Sequence, residues 1–315
     1  MMAAITAALV KQLRDITGAG MMDCKKALTA TDGDIDKAVE NLRENGKAAA
    51  QKKAGRIAAE GIVMFKSTED GKKAAIVEVN SETDFVAKNE KFRTYVDQVA
   101  DQALTTTAKD IDAFLAEPWK FEEGKSVKDA LDSEIAVISE NMHIRRFAQV
   151  EEQNGFVATY NHADGKIGVL VDVETDVIND AVKEMAKNVA MQIAAMRPKY
   201  TSNAEVPADY IAHEKEILRA AVANDPKEAS KPAKVIEGIV AGRVNKELKE
   251  IVLLDQVYVK AEDGKQSVQK YVDQVAKANG AKITIKGFVR YETGEGLEKK
   301  QENFAEEVAA QALGK

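Results

Sequence analysis

The sequence predicts an α+β protein built from several modules, and three observations carry that expectation. The first 46 residues place apolar side chains at helical spacing in three short stripes. A hairpin-plus-helix pattern then occurs twice at a constant offset, Gly61 returning as Gly155 and Asp70-Gly71-Lys72 as Asp164-Gly165-Lys166. Two long helical patterns, joined by a loop containing Asp225-Pro226 and Ser230-Lys231-Pro232, interrupt the second copy. At 315 residues the chain is long for one core. The expected division is a helical module at 1–54, a first core module at 55–141, a second at 142–198 and 249–291, an inserted helical hairpin at 199–248 and a C-terminal segment at 292–315.

In the N-terminal module Ile5, Leu9, Leu13 and Ile16 form one stripe, stopped by Gly18. Met22, Ala27 and Leu28 form a second; Ile35, Ala38, Val39 and Leu42 form a third, capped by Asp34 and ending at Gly46. Asp32, Asp34 and Asp36 have the spacing of a calcium loop, but Lys37 and Arg43 occupy the positions that need Gly and Glu, which excludes it. Lys47 to Gly55 then reads as a helical tether. Its lysines are a solvated face or a surface toward an acidic partner.

From Gly61 the period becomes two. Residues 61–67 and 74–80 flank Glu69-Asp70-Gly71-Lys72, a hairpin signal. The chain then passes from strand to helix through Thr83-Asp84-Phe85-Val86-Ala87-Lys88-Asn89. Thr83 or Asp84 can cap the helix, while Phe85 and Val86 stand where burial is not assured. The helix buries Phe92, Tyr95, Val96, Val99, Ala100 and Ala103; helices at Ile111–Ala116 and Val127–Ile138, the latter capped by Ser126, precede a strand from Met142 to Val150. Gly124-Lys125-Ser126 has the ending of a phosphate loop, but Trp119 replaces its first glycine and Glu122 and Glu123 would repel phosphate.

In the second copy Gly155–Asn161, the turn Ala163–Lys166 and Gly168–Val173 repeat the hairpin, Thr175-Asp176-Val177 standing in for Thr83-Asp84-Phe85 after a two-residue gap. Only the first copy has an aromatic beside the aspartate and the extension Ala87-Lys88-Asn89. Helix follows through Ile178, Val182, Met185, Val189 and Ile193 to Arg197-Pro198, then an antiparallel pair near 208–223 and 233–248. Such an arm either holds a partner or only packs on itself. The chain closes with a helix capped by Ser267, a strand Ile283–Tyr291, the turn Gly294-Glu295-Gly296 and a short helix from Asn303. Tyr95–Ala100 recurs word for word as Tyr271–Ala276 without the same preceding strands, which marks a shared amphipathic helix or a weak third echo.

Composition excludes several classes. With 45 basic and 52 acidic residues the net charge is -7, the wrong sign for holding phosphate backbones, so no nucleic-acid partner is expected. No run of about 18 apolar residues and no basic leader occur, so no membrane association is expected and the protein should remain in the cytoplasm. Cys24 is the single cysteine and cannot close an intrachain disulfide. His213-Glu214 lacks the second histidine of a zinc helix, and no Ser-His-Asp spacing is present; no enzyme, metal or cofactor is expected.

Three motifs, Thr83 to Asn89, Thr17 to Leu28 and Gly294 to Lys299, together resemble the translation elongation factor Ts family, and the likeness covers essentially the whole chain. The resemblance implies a guanine-nucleotide exchange factor of elongation factor Tu that binds the GDP and nucleotide-free forms. It implies a three-helix ubiquitin-associated-like N-terminal module that docks with the first repeat on the partner's nucleotide-binding domain, a second repeat that meets another partner domain, and a coiled-coil arm with possible self-association. By the same resemblance Thr83, Asp84, Phe85 and Val86 match the segment that intrudes beside the partner's magnesium, Phe85 as a wedge and Asp84 disturbing the metal shell. Met21, Met22 and Lys25 match the docking face of the N-terminal module, and Ile138, His162 and Val259 other partner-facing positions. Ser139 stands where relatives can have Gly, and Asn89 where some have Asp. The rival is a non-catalytic adaptor with a ubiquitin-associated-type module, which would not need an exposed acid and aromatic together at Asp84-Phe85. A translation-associated RNA binder is a third possibility, opposed by the net charge.

Overall fold

The computed structural model describes residues 5–299; the helix expected from Asn303 lies outside them. Three helices come first, α1 (Ala7–Thr17), α2 (Met21–Ala30) and α3 (Ile35–Lys53). The first sheet follows with β1 (Glu60–Ser67) and β2 (Lys73–Ser81), then α4 (Asp84–Ala87), α5 (Glu90–Thr105), α6 (Ile111–Ala116), α7 (Val127–Ile138) and β3 (Met142–Glu151). The second sheet has β4 (Gly155–His162) and β5 (Ile167–Thr175), followed by α8 (Asp180–Met196). An arm of α9 (Ala208–Asn224), the single turn α10 (Pro226–Ala229) and α11 (Ala233–Ile251) leads to α12 (Val268–Asn279) and β6 (Ile283–Glu292).

The N-terminal helices close over Val10, Leu13, Cys24, Ala27, Leu28 and Ala38. Asp34 caps α3 by accepting from the Lys37 amide at 3.1 Å. The third helix does not end at Gly46, however, and the following lysines are not a free tether. A glycine in mid-helix costs backbone entropy but lets another helix come close, and here Gly46 and Ala50 are buried where α3 packs on α7, with Ala136 Cβ 3.5 Å from where a Gly46 Cβ would stand. Asp129 of α7 binds Arg43 at 2.9 Å and Lys47 at 2.8 Å. Against the cost of burial, hydrogen bonds from Lys47, Ser126 and Arg43 hold the Asp129 carboxyl well below the usual carboxylate range.

Both sheets are antiparallel, ordered β1-β2-β3 and β4-β5-β6. The strand from Met142 was expected in the second module; it pairs along β2 and belongs to the first. Alternating hydrophobicity identifies a strand but not its partner, and the short link to β4 left no compositional mark. Helix α5 covers one face of the first sheet with Phe92, Tyr95, Val96, Val99, Ala100 and Ala103; α8 covers the second with Val182, Met185, Val189 and Ile193.

The other faces of the two sheets meet each other about an internal pseudo-twofold. Val63, Ala74 and Ile76 lie against their repeat mates Val157, Gly168 and Leu170. The Val63 amide donates to the Gly165 carbonyl at 2.7 Å, and the Val157 amide donates to the Gly71 carbonyl at 2.8 Å. Such reciprocity is what a twofold interface between like units requires. Each sheet also has an irregular register at one matching place, between Glu78 and Val79 in β2 and between Asp172 and Val173 in β5.

The structure corrects the expected alignment of the second copy. The offset stays constant past the strands: Ser81 Oγ donates to the Thr83 carbonyl at 3.1 Å, and Thr175 Oγ1 donates to the Val177 carbonyl at 3.1 Å. Thr175 is therefore the mate of Ser81, and Asp176 that of Glu82. Where the first module breaks the chain into α4 and α5, the second starts α8 directly at the Asn179 cap. The shared word Tyr95–Ala100 and Tyr271–Ala276 is a helix in both places, but α5 packs on β1 and β2 while α12 packs on α8.

The arm is zipped by Val222, Val240 and Val244 with Leu218, Ile236, Ile239 and Leu248; an Arg219–Glu237 pair joins α9 to α11 and an Arg243–Glu228 pair joins α11 to α10. At the end of α7, Ser139 closes the helix at φ 68, in the left-handed region. A serine pays a steric cost there that glycine does not. Ser139→Gly should therefore raise stability by about 0.5–1 kcal/mol, read as a higher urea midpoint with an unchanged slope.

Candidate functional site

Strand β2 ends at Ser81, and two residues later Thr83 adopts an extended backbone and caps α4, its Oγ1 accepting from the Val86 amide at 3.3 Å. Thr83 thus does the capping, which leaves Asp84 free for display. Asn89 caps the next helix by accepting from the Lys91 and Phe92 amides. Between these caps Ala87 is buried in the core of the first module and Val86 packs against that core. The same turn holds Phe85 outward with 81% of its surface exposed, the most exposed large apolar side chain among the described residues.

Beside it the Asp84 carboxylate accepts from Lys88 Nζ at 2.6 Å. That hydrogen bond lowers the Asp84 pKa, with smaller help from the charges of Lys88 and Lys166. The carboxylate is ionised at neutral pH. Lys166 sits in the turn of the second hairpin and pairs with Glu60 at 2.6 Å, and Asp164 of that turn takes both Arg93 nitrogens at 2.7 and 3.0 Å. The α4 turn and the second hairpin turn are therefore one surface, held by ion pairs across the two modules.

Of the other expected residues, His162 is exposed at the end of β4 next to that turn, with Tyr160 Oη 3.0 Å from its Nδ1. Met21, Met22 and Lys25 are exposed on α2, with Ile16 also exposed nearby in sequence. The loop between α1 and α2 abuts α5: a Gly18 Cβ would lie 2.9 Å from Lys91 Nζ. Val259 is exposed together with Val257 on a loop pinned by the buried Gln192, whose amide oxygen accepts from Val259 and whose amide nitrogen donates to the Val257 carbonyl. Ile138 differs from expectation. It is half-buried at the end of α7 and packs on the core of the first module, so much of its surface is committed to the fold.

Sequence reasoning missed the residue that touches the segment most often. Glu140 accepts from the Glu82 amide at 3.1 Å, the Thr83 amide at 3.0 Å and Thr83 Oγ1 at 2.6 Å. A glutamate so distant in sequence gives no periodic signal.

The sequence model of the family described as Elongation factor TS matches residues 82–295, more than half of the chain and the whole of this surface except its N-terminal part. The chain belongs to the elongation factor Ts family. Its similarity to individual relatives extends further. It is 52% identical over 310 residues to the Elongation factor Ts of Clostridioides difficile, covering 98% of this chain and 99% of that one. It is 50% identical over 307 residues to that of Clostridium tetani, covering 98% and 99%. It is 51% identical over 311 residues to that of Clostridium botulinum, strain Eklund 17B, covering 99% and 100%. Among the described residues no helix is long and apolar enough to cross a membrane.

Proposed function

We propose that this chain is a guanine-nucleotide exchange factor for elongation factor Tu and acts in the cytoplasm, with the α4 turn entering the partner's nucleotide site. The observation that carries the reading is Phe85, held outward on a short turn whose neighbours Val86 and Ala87 are anchored, beside an ionised Asp84. Isolated exposed apolar residues are ordinary. An aromatic presented next to a fixed carboxylate, on a turn capped at both ends, is suited to filling a partner's pocket while placing negative charge at its rim. Near a magnesium ion bound to GDP that charge would compete for the metal, and phosphate repulsion would then favour release. The reaction makes and breaks no covalent bond.

Met21, Met22 and Lys25 on α2, His162 beside the second turn and Val259 on the pinned loop supply further contacts in this reading, and Ile138 a smaller one. The exposed Ile217 and Val235 give the arm apolar points with which to meet a second copy or the GTPase. Coupling is reciprocal: weakening GDP tenfold requires about 1.4 kcal/mol, and GDP must weaken the factor's own binding equally. The factor thus speeds exchange without choosing the nucleotide.

The test is release of fluorescent GDP from elongation factor Tu in excess unlabelled GDP. Wild type should accelerate release, and Asp84→Ala with Phe85→Ala should lose at least about tenfold of the saturating rate, the scale of one interface hot spot. Both side chains are on the surface, so folding stability should move by no more than about 0.5 kcal/mol. Wild type that binds without accelerating release would leave the adaptor.

A further inference from the structure

We propose that Glu140 is the positioning residue for the Asp84–Phe85 pair, its carboxylate fixing the backbone from which α4 springs; this rests on the exchange reading above. A helix of four residues has almost no hydrogen bonds of its own to define its direction. What aims it must come from outside. Two carboxylates do so, crossing between the end of β2 and the start of β3. Glu140 takes the Glu82 amide, the Thr83 amide and the Thr83 hydroxyl, while Glu82 Oε1 takes the Asn141 amide at 2.5 Å. Bonds to an ionised acceptor are shorter and roughly twice as strong as neutral ones. The Thr83 hydroxyl donates to Glu140 and accepts from the Val86 amide, so the position of Glu140 passes directly to the first turn of α4.

The second module provides an internal control. There Asp176, the mate of Glu82, accepts from the amide of Lys282 at 2.8 Å, and Lys282 immediately precedes β6 just as Asn141 immediately precedes β3. That leg of the brace is common to both modules and serves the fold. The residue before Lys282 is Ala281, which stands where the first module has Glu140 and has no carboxylate. The mate of Thr83 is Val177, which has no hydroxyl to offer a carboxylate, and its amide donates to Thr175 Oγ1 at 3.2 Å where the Thr83 amide donates to Glu140. The Glu140 leg is thus present only in the module that displays an acid and an aromatic, which separates it from what the sheet itself requires. Its neighbours hold it rigidly. Ser139 is in the left-handed region, and the buried Asn141 donates from Nδ2 to the Arg56 carbonyl at 2.7 Å.

The experiment uses the full chain with Glu140→Gln, which keeps shape and volume but removes the charge and turns one acceptor into a donor, so that either the two amides or the Thr83 hydroxyl lose their acceptor. In the free protein, hydrogen exchange of the Glu82 and Thr83 amides should quicken by about tenfold or more, the loss of a charged hydrogen bond. In the GDP-release assay the saturating rate should fall by about tenfold, while the half-saturating concentration, set by the remaining surface, should change by less than about twofold. Glu140→Asp should recover part of the rate. A wild-type saturating rate in Glu140→Gln, with Asp84→Ala and Phe85→Ala lowering it, overturns the positioning role and spares the exchange reading. A variant that only melts earlier, with an unchanged saturating rate per folded molecule, overturns it equally. If the Asp84 and Phe85 substitutions themselves leave the rate unchanged, the site assignment falls first and takes this proposal with it.

Discussion

Glu78→Ala should destabilise the protein by about 3–5 kcal/mol, because it leaves two guanidinium groups without their shared partner. Glu78 lies on β2 with no exposed surface. Its carboxylate accepts from Arg145 Nη1 at 3.0 Å, Arg146 Nε at 2.6 Å, Asn80 Nδ2 at 3.1 Å and the Gly294 amide at 2.8 Å. Arg146 lies 4.1 Å over the Tyr291 ring, and Arg145 donates to the Glu295 carbonyl at 2.6 Å. One carboxylate therefore ties the end of β6 and the Gly294-Glu295-Gly296 turn to the first sheet. That gives the third sequence motif a structural account: it is the far end of a clamp between modules. The repeat mate Asp172 is wired differently, facing Glu152 and Lys286; burial first, then Glu152, push its carboxyl upward. Equilibrium urea unfolding of Glu78→Ala checks the figure, and a loss under about 1 kcal/mol would mean the arginines find water instead.

Gly61→Ala and Gly155→Ala should each cost about 2–4 kcal/mol, since a Cβ at either position meets backbone that cannot yield without moving the sheet. At Gly61 the φ of 122° already lies outside the range of ordinary side chains, and the Cβ would fall 2.1 Å from the Val79 carbonyl oxygen. At Gly155 the same atom would fall 2.0 Å from the carbonyl oxygen of Val173, the repeat mate of Val79. Similar penalties at both sites would follow from the shared irregularity in β2 and β5. The control is Gly238→Ala in α11, where a Cβ meets nothing within 4 Å. In a helix interior that change should stabilise by about 0.5–1 kcal/mol. Thermal and urea unfolding of the three variants decide it. A mild Gly61→Ala would show that the strand can shift at its end.

Much of the fold and part of the site were legible in the sequence, and the division follows the range of the forces involved. Asp34, Ser126 and Ser267 read as caps from the sequence, and each accepts from the amide three residues on. Capping and helix periodicity act within one or two turns, so a single stretch contains all the information. The repeat was legible for the same reason, and the Thr83–Asn89 segment announced itself as a strand-to-helix junction with an aromatic at risk of exposure. The repeated letters Thr-Asp point two residues away from the true mates, because the equivalent hydrogen bonds that pair Ser81 with Thr175 are visible only in the fold.

By itself, then, the sequence determined the α+β class, the order of the main elements and most caps, all consequences of local spacing, while the candidate tip at Asp84 and Phe85 came from the family resemblance of its motif. Tertiary structure alone decided that β3 completes the first sheet, that Gly46 is a helix crossing, that Thr83 caps so that Asp84 is free, and that Glu140 and Glu78 hold distant backbone. Those outcomes depend on which groups meet after the chain has folded back on itself. A buried carboxylate must find donors wherever the fold brings them, and neither Glu140 nor Glu78 contains in its own neighbourhood the address of the groups it binds.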